Sequence, residues 1–396
     1  MALFAPRART AVAALAALIA WSLPATAFEP TGNAIADAYL RGYVGPGTAV
    51  DSVSGVGEDG GDVTIESFTV SISETIQDTA QSILEITARD VVISKPTLDG
   101  DTLVAERVDT GAVTWAGMVP GLRIDFASSQ TRDVRLIDGA WGAGADWEKN
   151  LRSYGRSTAF GMAVSHNGET YATADTVAVE NFILEPALQQ AMAVEGLRVD
   201  ATKLAQAAGS PPPRIALEDH PMAVFIDGRW NPENGETEIG AFEITAPSLG
   251  GIKLSTRLLG LTREAVKIVF PPPGSPQSQP EEWGALGIAA LTLSVRDDGV
   301  AQDLVAMGAE SSGLAPDAFI ALATNGVAGA LMAYPDAEFR TQFVAALGAL
   351  MRGGSTMTLN ANPPEPLLFK EFDEIGPATI DELPQKLGLS VESTPN

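Results

Sequence analysis

Hydrophobic and polar residues alternate with a period of two along most of this chain, and the alternation slips phase at a few places. In DVTIESFTVSI, Val63 and Ile65 fall on one side, while Phe68, Val70 and Ile72 fall on the other. The slip at Glu66–Ser67 predicts a strand carrying a bulge or bend. ILEITARDVVISKPT slips in the same way. TAVDSVSG precedes the turn-rich VGEDGGD, and TLVAERVDTGAVTW and GLRIDFASS continue in strand-like segments. The clearest hairpin is TAFGMAVSHNGETYATA. Phe160, Met162 and Val164 alternate before Asn167–Gly168, a pair suited to a two-residue turn, and DTVAVENFIL adds a strand. In the second half, MAVFIDGRW and ETEIGAFEI flank the turn NPENG. GIKLSTRLLGLT and AVKIVF read as further strands. ALTLSV sets Leu291, Leu293 and Val295 on one face, and STMTLNA and LSVES close the series.

A period near 3.6 replaces the alternation in fewer places. AIADAYLRGY reads as a short helix, and a helix over about 186–208 is expected to break at Gly196. Three helical stripes follow ALTLSV: Val300, Leu304 and Met307; then Ile320, Ala323, Val327, Leu331 and Tyr334, with Pro316 suited to the helix start; then Phe339, Phe343, Leu347 and Leu350, ended by Gly353–Gly354. A short helix is expected near TIDELPQKLG. Strands and helices do not alternate regularly, so the pattern predicts an α+β fold. It is mostly antiparallel β, with long curved sheets and a helical block near the C-terminus.

Composition adds a compartment. Arg7 and Arg9 precede an uncharged apolar run, Ala11 to Leu23, which Pro24 breaks ahead of the small-x-small triplet Ala25–Thr26–Ala27. This reads as a secretory signal over 1–27, cleaved after Ala27, and predicts a periplasmic protein with no membrane-spanning segment after cleavage. The run is short of the roughly 20 apolar residues a span needs; an uncleaved anchor is the alternative. The organisation expected is a β-rich domain over 28–208, a Pro-rich connection over 209–214, and an α+β domain over 215–396. The last contains a Pro-rich loop at 271–282 and a helical block at 299–353. The chain carries 25 Lys+Arg against 50 Asp+Glu, a net charge of −25, which repels nucleic acid and argues against it as a partner. With no cysteine, the chain has no disulfide, thiol nucleophile or cysteine-ligated metal, so its core must hold it together.

Candidate chemistry is sparse. Gly55 to Gly60, GVGEDG, spells G-x-G-x-x-G. A strand rather than a helix follows it, however, and Glu58 and Asp59 would sit where phosphate should bind, so a hairpin loop is the better reading. Only His166 and His220 are present. His166 is expected exposed at a hairpin tip, and His220 sits between Asp219 and Pro221; a Ser-His-Asp arrangement would have to assemble in space. Acidic stretches containing Asp59 and Asp62, Asp99 and Asp101, and Asp297 and Asp298 suit calcium chemically but lack EF-hand spacing. Trp115, Trp141, Trp147, Trp230 and Trp283 are compatible with stacking on sugars and equally with anchoring loops to a core; Trp141 and Trp147 lie in a glycine-rich stretch.

In VRDDGVAQDLV, the face set by Leu291, Leu293 and Val295 would drive Asp297 into the core if the strand continued. The strand is therefore expected to stop at Val295 or Arg296. Asp297 or Asp298 would then cap the following helix, and Asp298→Ala would cost about 1 kcal/mol. No residue is assigned a catalytic, cofactor-binding or metal role, and no cofactor is expected.

The short N-terminal helix, the strand and acidic Gly-Asp turn that follow, VTIESFTVSI, VENFILEP and GGIKLSTRLLGLT together resemble units of periplasmic envelope proteins of the AsmA-like and YdgA-like kind. The resemblance implies an envelope role in which a groove of curved sheet handles phospholipid or another apolar ligand. The leading expectation is an exported, non-enzymatic protein that binds a lipid-like ligand or an envelope partner. The alternatives are a structural or assembly factor docking a protein through its C-terminal helices, and an exported glycan-acting hydrolase.

Overall fold

The computed structural model describes residues 29–45, 48–76, 79–117, 119–141, 147–210, 216–269, 286–333, 336–369 and 386–396. The expected signal segment, most of the Pro-rich connection, the Pro-rich loop, Tyr334, Trp283 and most of TIDELPQKLG lie outside them. The protein is α+β and mostly antiparallel β. It divides into two compact units. The first takes the described residues up to Leu184 together with Gly196–Ala216. The second takes Glu185–Glu195, Leu217–Val269 and the described residues from Leu286 onward.

In the first unit, helix α1 (Ala34–Arg41) is followed by β1 (Thr48–Asp59), β2 (Asp62–Ile76), β3 (Thr79–Ser94), β4 (Thr97–Asp99), β5 (Thr102–Thr110), β6 (Val113–Ala116), β7 (Leu122–Phe126), β8 (Ser128–Leu136), helix α2 (Trp147–Leu151), β9 (Arg156–His166) and β10 (Glu169–Leu184). β1, β2 and β3 are long neighbours. β3 pairs with β5 and β6 end to end, β5 pairs with β8 and β6 with β7, and β7 and β8 both pair with β9, which pairs with β10. Asn33 caps α1 by accepting from the Ile35 and Ala36 amides, each at 3.0 Å. Ala36, Tyr39 and Leu40 then pack into a core with Ile65, Phe68, Val91, Leu103 and Leu136.

The phase slips are a physical crease. Gly55 on β1 has φ +61, Asp90 on β3 has φ +53, and Glu66 lies between them. A Cβ at Gly55 would collide with the Glu66 side chain, so the backbone there must be both left-handed and bare. The line continues through Gly111, which donates to the Asp90 carbonyl at 3.3 Å, and through Ala127, which donates to the Phe160 carbonyl at 2.9 Å. It ends at Gly161, Asp175 and Gly196, where a Cβ on Gly196 would strike the Asp175 carboxylate. Crossing the crease moves the apolar side chains of each strand to the opposite parity, which is why Val63, Ile65, Phe68 and Val70 are all buried.

After β10, β11 (Ala187–Val199) occupies residues expected to be helical, and only α3 (Ala201–Ala207) keeps that state. The Ala, Gln, Met and Leu content favours helix locally, but strand geometry lets Gln189 reach Asp227 Oδ1 at 2.9 Å and sets Gly196 into the crease; tertiary pairing overrides propensity.

The second unit continues with β12 (Met222–Trp230), β13 (Thr237–Ala246), β14 (Gly250–Leu259), helix α4 (Arg263–Val269), β15 (Gly287–Asp297), helices α5 (Val300–Ser312), α6 (Pro316–Ala330) and α7 (Ala337–Arg352), then β16 (Ser355–Ala361), β17 (Leu367–Leu368) and β18 (Leu389–Pro395). The pairing runs β12–β13–β14–β15–β16–β18, with β17 on the end of β15. Residues 265–269 of AVKIVF fall in helix α4 rather than a strand: the Thr262 hydroxyl accepts from the Ala265 amide at 3.2 Å and starts a helical turn that buries Val266.

The helical stripes are partly re-phased. α5 buries Val305 and Ala309, while Leu304, expected inward, is exposed. The Phe319 ring of α6 presses on Gly308 and so fixes which side of α5 faces its neighbour. α7 lies over β16 and β18, with Phe339, Phe343 and Ala346 against Met357, Leu359, Leu389 and Val391.

Candidate functional site

The second unit's sheet is divided by side-chain parity. Val224, Ile244, Ile252, Val295 and Met357 are successive register partners across β12, β13, β14, β15 and β16, and so form one row. Ile226, Phe242, Leu254, Leu293 and Leu359 form the next. Partners in an antiparallel ladder share a face, so the two rows make one apolar surface. At about 4.8 Å per strand it spans about 19 Å across five strands. None of the ten residues is buried, and Ile252 is 47% exposed.

No charged side chain stands in either row. The opposite face carries them: Glu243 is opposite Lys253, and Glu238 is opposite both Arg229 and Arg257. Hydroxyls and amides continue that face, with Thr292 donating to Asn360 Oδ1 at 2.9 Å and Ser294 and Thr358 hydroxyls 3.0 Å apart. Bulges near Asp227–Gly228 and Ile239–Phe242 bend the strands without mixing the two faces. α7 covers the apolar surface at its β16 end, leaving the β12–β14 side half-exposed.

The first unit repeats the arrangement. Val50, Val70, Ile86, Trp115, Ile124, Val164 and Ala172 are register partners across β1, β2, β3, β6, β7, β9 and β10. Val50 and Val70 are buried in the α1 core, while the residues from Ile86 onward are half-buried. The reverse face is again polar. There the Arg123 guanidinium, bonded to Asp125 at 2.7 Å, holds the Asp125 carboxyl below its ordinary range, helped by the Thr114 hydroxyl.

Residues that drew attention for polar chemistry are dispersed and serve turns and packing. GVGEDG forms the end of β1 and the Gly60–Gly61 turn, the hairpin alternative to a phosphate loop. Asp62 accepts from the Lys95 amide at 3.0 Å and the Ser94 hydroxyl at 3.2 Å, Asp99 pairs with Arg135 at 3.2 Å, and Asp101 lies in an exposed turn. Among the described residues no group of three or more His, Asp or Glu side chains converges as a metal site. His166 is half-buried rather than exposed, with Nε2 3.0 Å from the Pro120 carbonyl. His220 Nδ1 stands 2.5 Å from the Ser248 hydroxyl, and among the described residues Ser248 is its hydrogen-bond partner; a triad would require a carboxylate to orient the ring as well.

Trp141 is a core anchor. Its ring meets Tyr39, Tyr43 and Tyr154 edge-on, and Nε1 donates to Ser153 Oγ at 2.8 Å. Burial pushes the Tyr39 hydroxyl up to about 12 and Tyr43 well above its ordinary value. Trp230 donates from Nε1 to the Leu261 carbonyl at 2.6 Å, and Trp115 stands in the first unit's apolar row.

Asp297 accepts a first-turn amide of the following helix, as expected of Asp297 or Asp298, but the strand does not stop before it. β15 continues through it, and the side chain is 2% exposed. Oδ1 accepts the Ala301 amide at 2.7 Å and Oδ2 the Gly354 amide at 3.0 Å, so the buried charge is met by two backbone donors. Asp298 instead pairs with Arg296 at 2.9 Å near the surface.

A protein-family model described as "Uncharacterized protein" matches residues 243–394, from within β13 into β18, and so takes in most of the charge-free surface and all of the helical block. No curated protein matches the chain.

Proposed function

We propose that the protein is an exported, non-enzymatic component of the cell envelope that holds a hydrocarbon ligand, such as the acyl chain of a lipid, on the apolar face of the strands of its second unit. The observation that carries this reading is the pair of charge-free rows across β12–β16, half-open to solvent in a chain with a net charge of −25. A contiguous apolar surface of that kind costs free energy in water and is relieved by an apolar occupant. One leaflet of a bilayer holds chains about 15 Å long, half of a ~30 Å hydrocarbon core, which fits the ~19 Å breadth of the rows. The N-terminal run Ala11 to Leu23 supports export, and the resemblance to AsmA-like and YdgA-like envelope proteins points the same way.

Native mass spectrometry together with solvent extraction of the purified protein tests this. Recovered lipid, or uptake of a fluorescent fatty acid that Leu254→Glu abolishes, is the expected result. A clean apo mass with no uptake on incubation would sink the reading.

A further inference from the structure

The outward side of α6 is the reverse of an ordinary surface helix. Ala318, Leu322, Asn325, Gly329 and Met332, the last in the 3-10 turn that extends α6, follow steps of four and three residues. That is the spacing of a coiled-coil seam, yet here it faces solvent: Leu322 is 59% and Met332 77% exposed. None of the five is charged. A Cβ added at Gly326 or Gly329 would meet nothing within 4 Å, so no packing among the described residues calls for glycine there. Each glycine nevertheless makes an exposed helix less stable than alanine would.

We propose that this seam is where a second copy of the chain docks, α6 against α6, antiparallel about a two-fold axis near Asn325. The sequence of sizes is self-complementary in that orientation alone. Leu322 of one copy falls opposite Gly329 of the other, Ala318 falls opposite Met332, and the two Asn325 amides meet close to the axis. On either side of the axis a large side chain thus faces a small one, which makes the patch self-complementary, as an isologous interface requires. Charge agrees. Asp317 of one copy comes beside the Leu331–Ala333 turn of the other, where Arg340 Nη1 sits 3.4 Å from the Met332 carbonyl. Two chains of −25 repel elsewhere, and none of the five seam residues carries a charge to oppose contact. One helix face about 22 Å long buries less than the roughly 800 Å² per partner of a standard interface, so the dimer is weak and exchanging. The proposal is independent of the hydrocarbon reading.

Sedimentation velocity of the purified protein over a concentration series tests it. The expected result is a monomer–dimer equilibrium that tightens as salt shortens the screening length from ~30 Å to ~8 Å. Gly329→Met enters open space in the monomer and improves helix propensity, so it should keep or raise the unfolding midpoint while weakening dimerisation at least tenfold. Because the chain has no cysteine, single-cysteine variants report geometry: under mild oxidation, Ala318→Cys mixed with Met332→Cys should give the heterotypic crosslink. A chain that is monomeric at every concentration and salt would overturn the proposal. So would a Gly329→Met dimer of undiminished strength, or an Ala318–Ala318 position crosslink in preference to the mixed one. Leu322-dependent binding of a persistent monomer to phosphatidylcholine vesicles would overturn it in favour of a lipid surface.

Discussion

Asp297 holds Gly354: one carboxylate oxygen accepts the Gly354 amide at 3.0 Å across 57 residues of chain, while the other accepts the Ala301 amide at 2.7 Å. The helical block between β15 and β16 is therefore tied at both its entry and its exit by one buried side chain. Replacing Asp297 by alanine should cost about 2–3 kcal/mol, because two backbone amides, Ala301 half-buried and Gly354 exposed, lose the carboxyl group that accepts from them. Asp298→Ala removes the surface pair with Arg296 and a long hydrogen bond from Asn396 Nδ2 at 3.5 Å, and should cost less than about 1 kcal/mol. Urea denaturation of the two variants measures the difference; equal losses would contradict the assignment.

Ile252 stands nearly half exposed in the middle of an apolar row, so Ile252→Lys should change stability by no more than about 1 kcal/mol. A lysine there would put charge against any bound hydrocarbon. Fatty-acid uptake measured by fluorescence should fall at least tenfold, with the unfolding midpoint little changed.

Burial in the aromatic cluster raises the Tyr39 hydroxyl from 10.0 to about 12. The folded state then keeps a proton that the unfolded state loses, so this contribution is fully present below pH 10. It is lost as pH rises from 10 through 12 and amounts to roughly 2–3 kcal/mol. Denaturant midpoints taken at stepwise higher pH should fall across that window, and Tyr39→Phe should flatten part of the fall.

Gly55 is left-handed and faces the Glu66 side chain, so Gly55→Ala should destabilise the first unit by about 1–3 kcal/mol. Gly60 is also left-handed but meets nothing within 4 Å, so Gly60→Ala should cost less. Thermal unfolding of the two variants separates the collision from the backbone strain.

Much of the fold is legible from alternation alone. The slips at Glu66–Ser67 and in ILEITARDVVISKPT mark the crease through Gly55, Glu66 and Asp90, and Asn167–Gly168 turns with φ +52 and +83 as a hairpin pair should. Errors arose where local preference and long-range pairing disagree. Residues 187–199 carry good helix formers but lie in a strand, and the β-branched 263–269 form a helix begun by Thr262. The local pattern anticipates that Asp297 or Asp298 accepts from the next helix, as Asp297 does from Ala301, but it ends the strand too early, because a carboxyl group on a strand's inward side looks forbidden until a distant donor, Gly354, is in place. The rows across β12–β16 were visible one strand at a time, as with Leu291, Leu293 and Val295. Their alignment into a surface depends on register between strands up to many tens of residues apart.

Side-chain parity is a property of each strand, and so the alternation of residues already dictates that every strand has an apolar and a polar side. Coverage is not a local property. Val391 and Ile252 are both branched aliphatics on the same face of one sheet, yet Val391 is 5% exposed beneath α7 while Ile252 is 47% exposed where α7 does not reach. Burial requires a second layer at van der Waals distance, and only the placement of a helix that is distant in sequence decides which apolar residues become core and which remain available to a ligand.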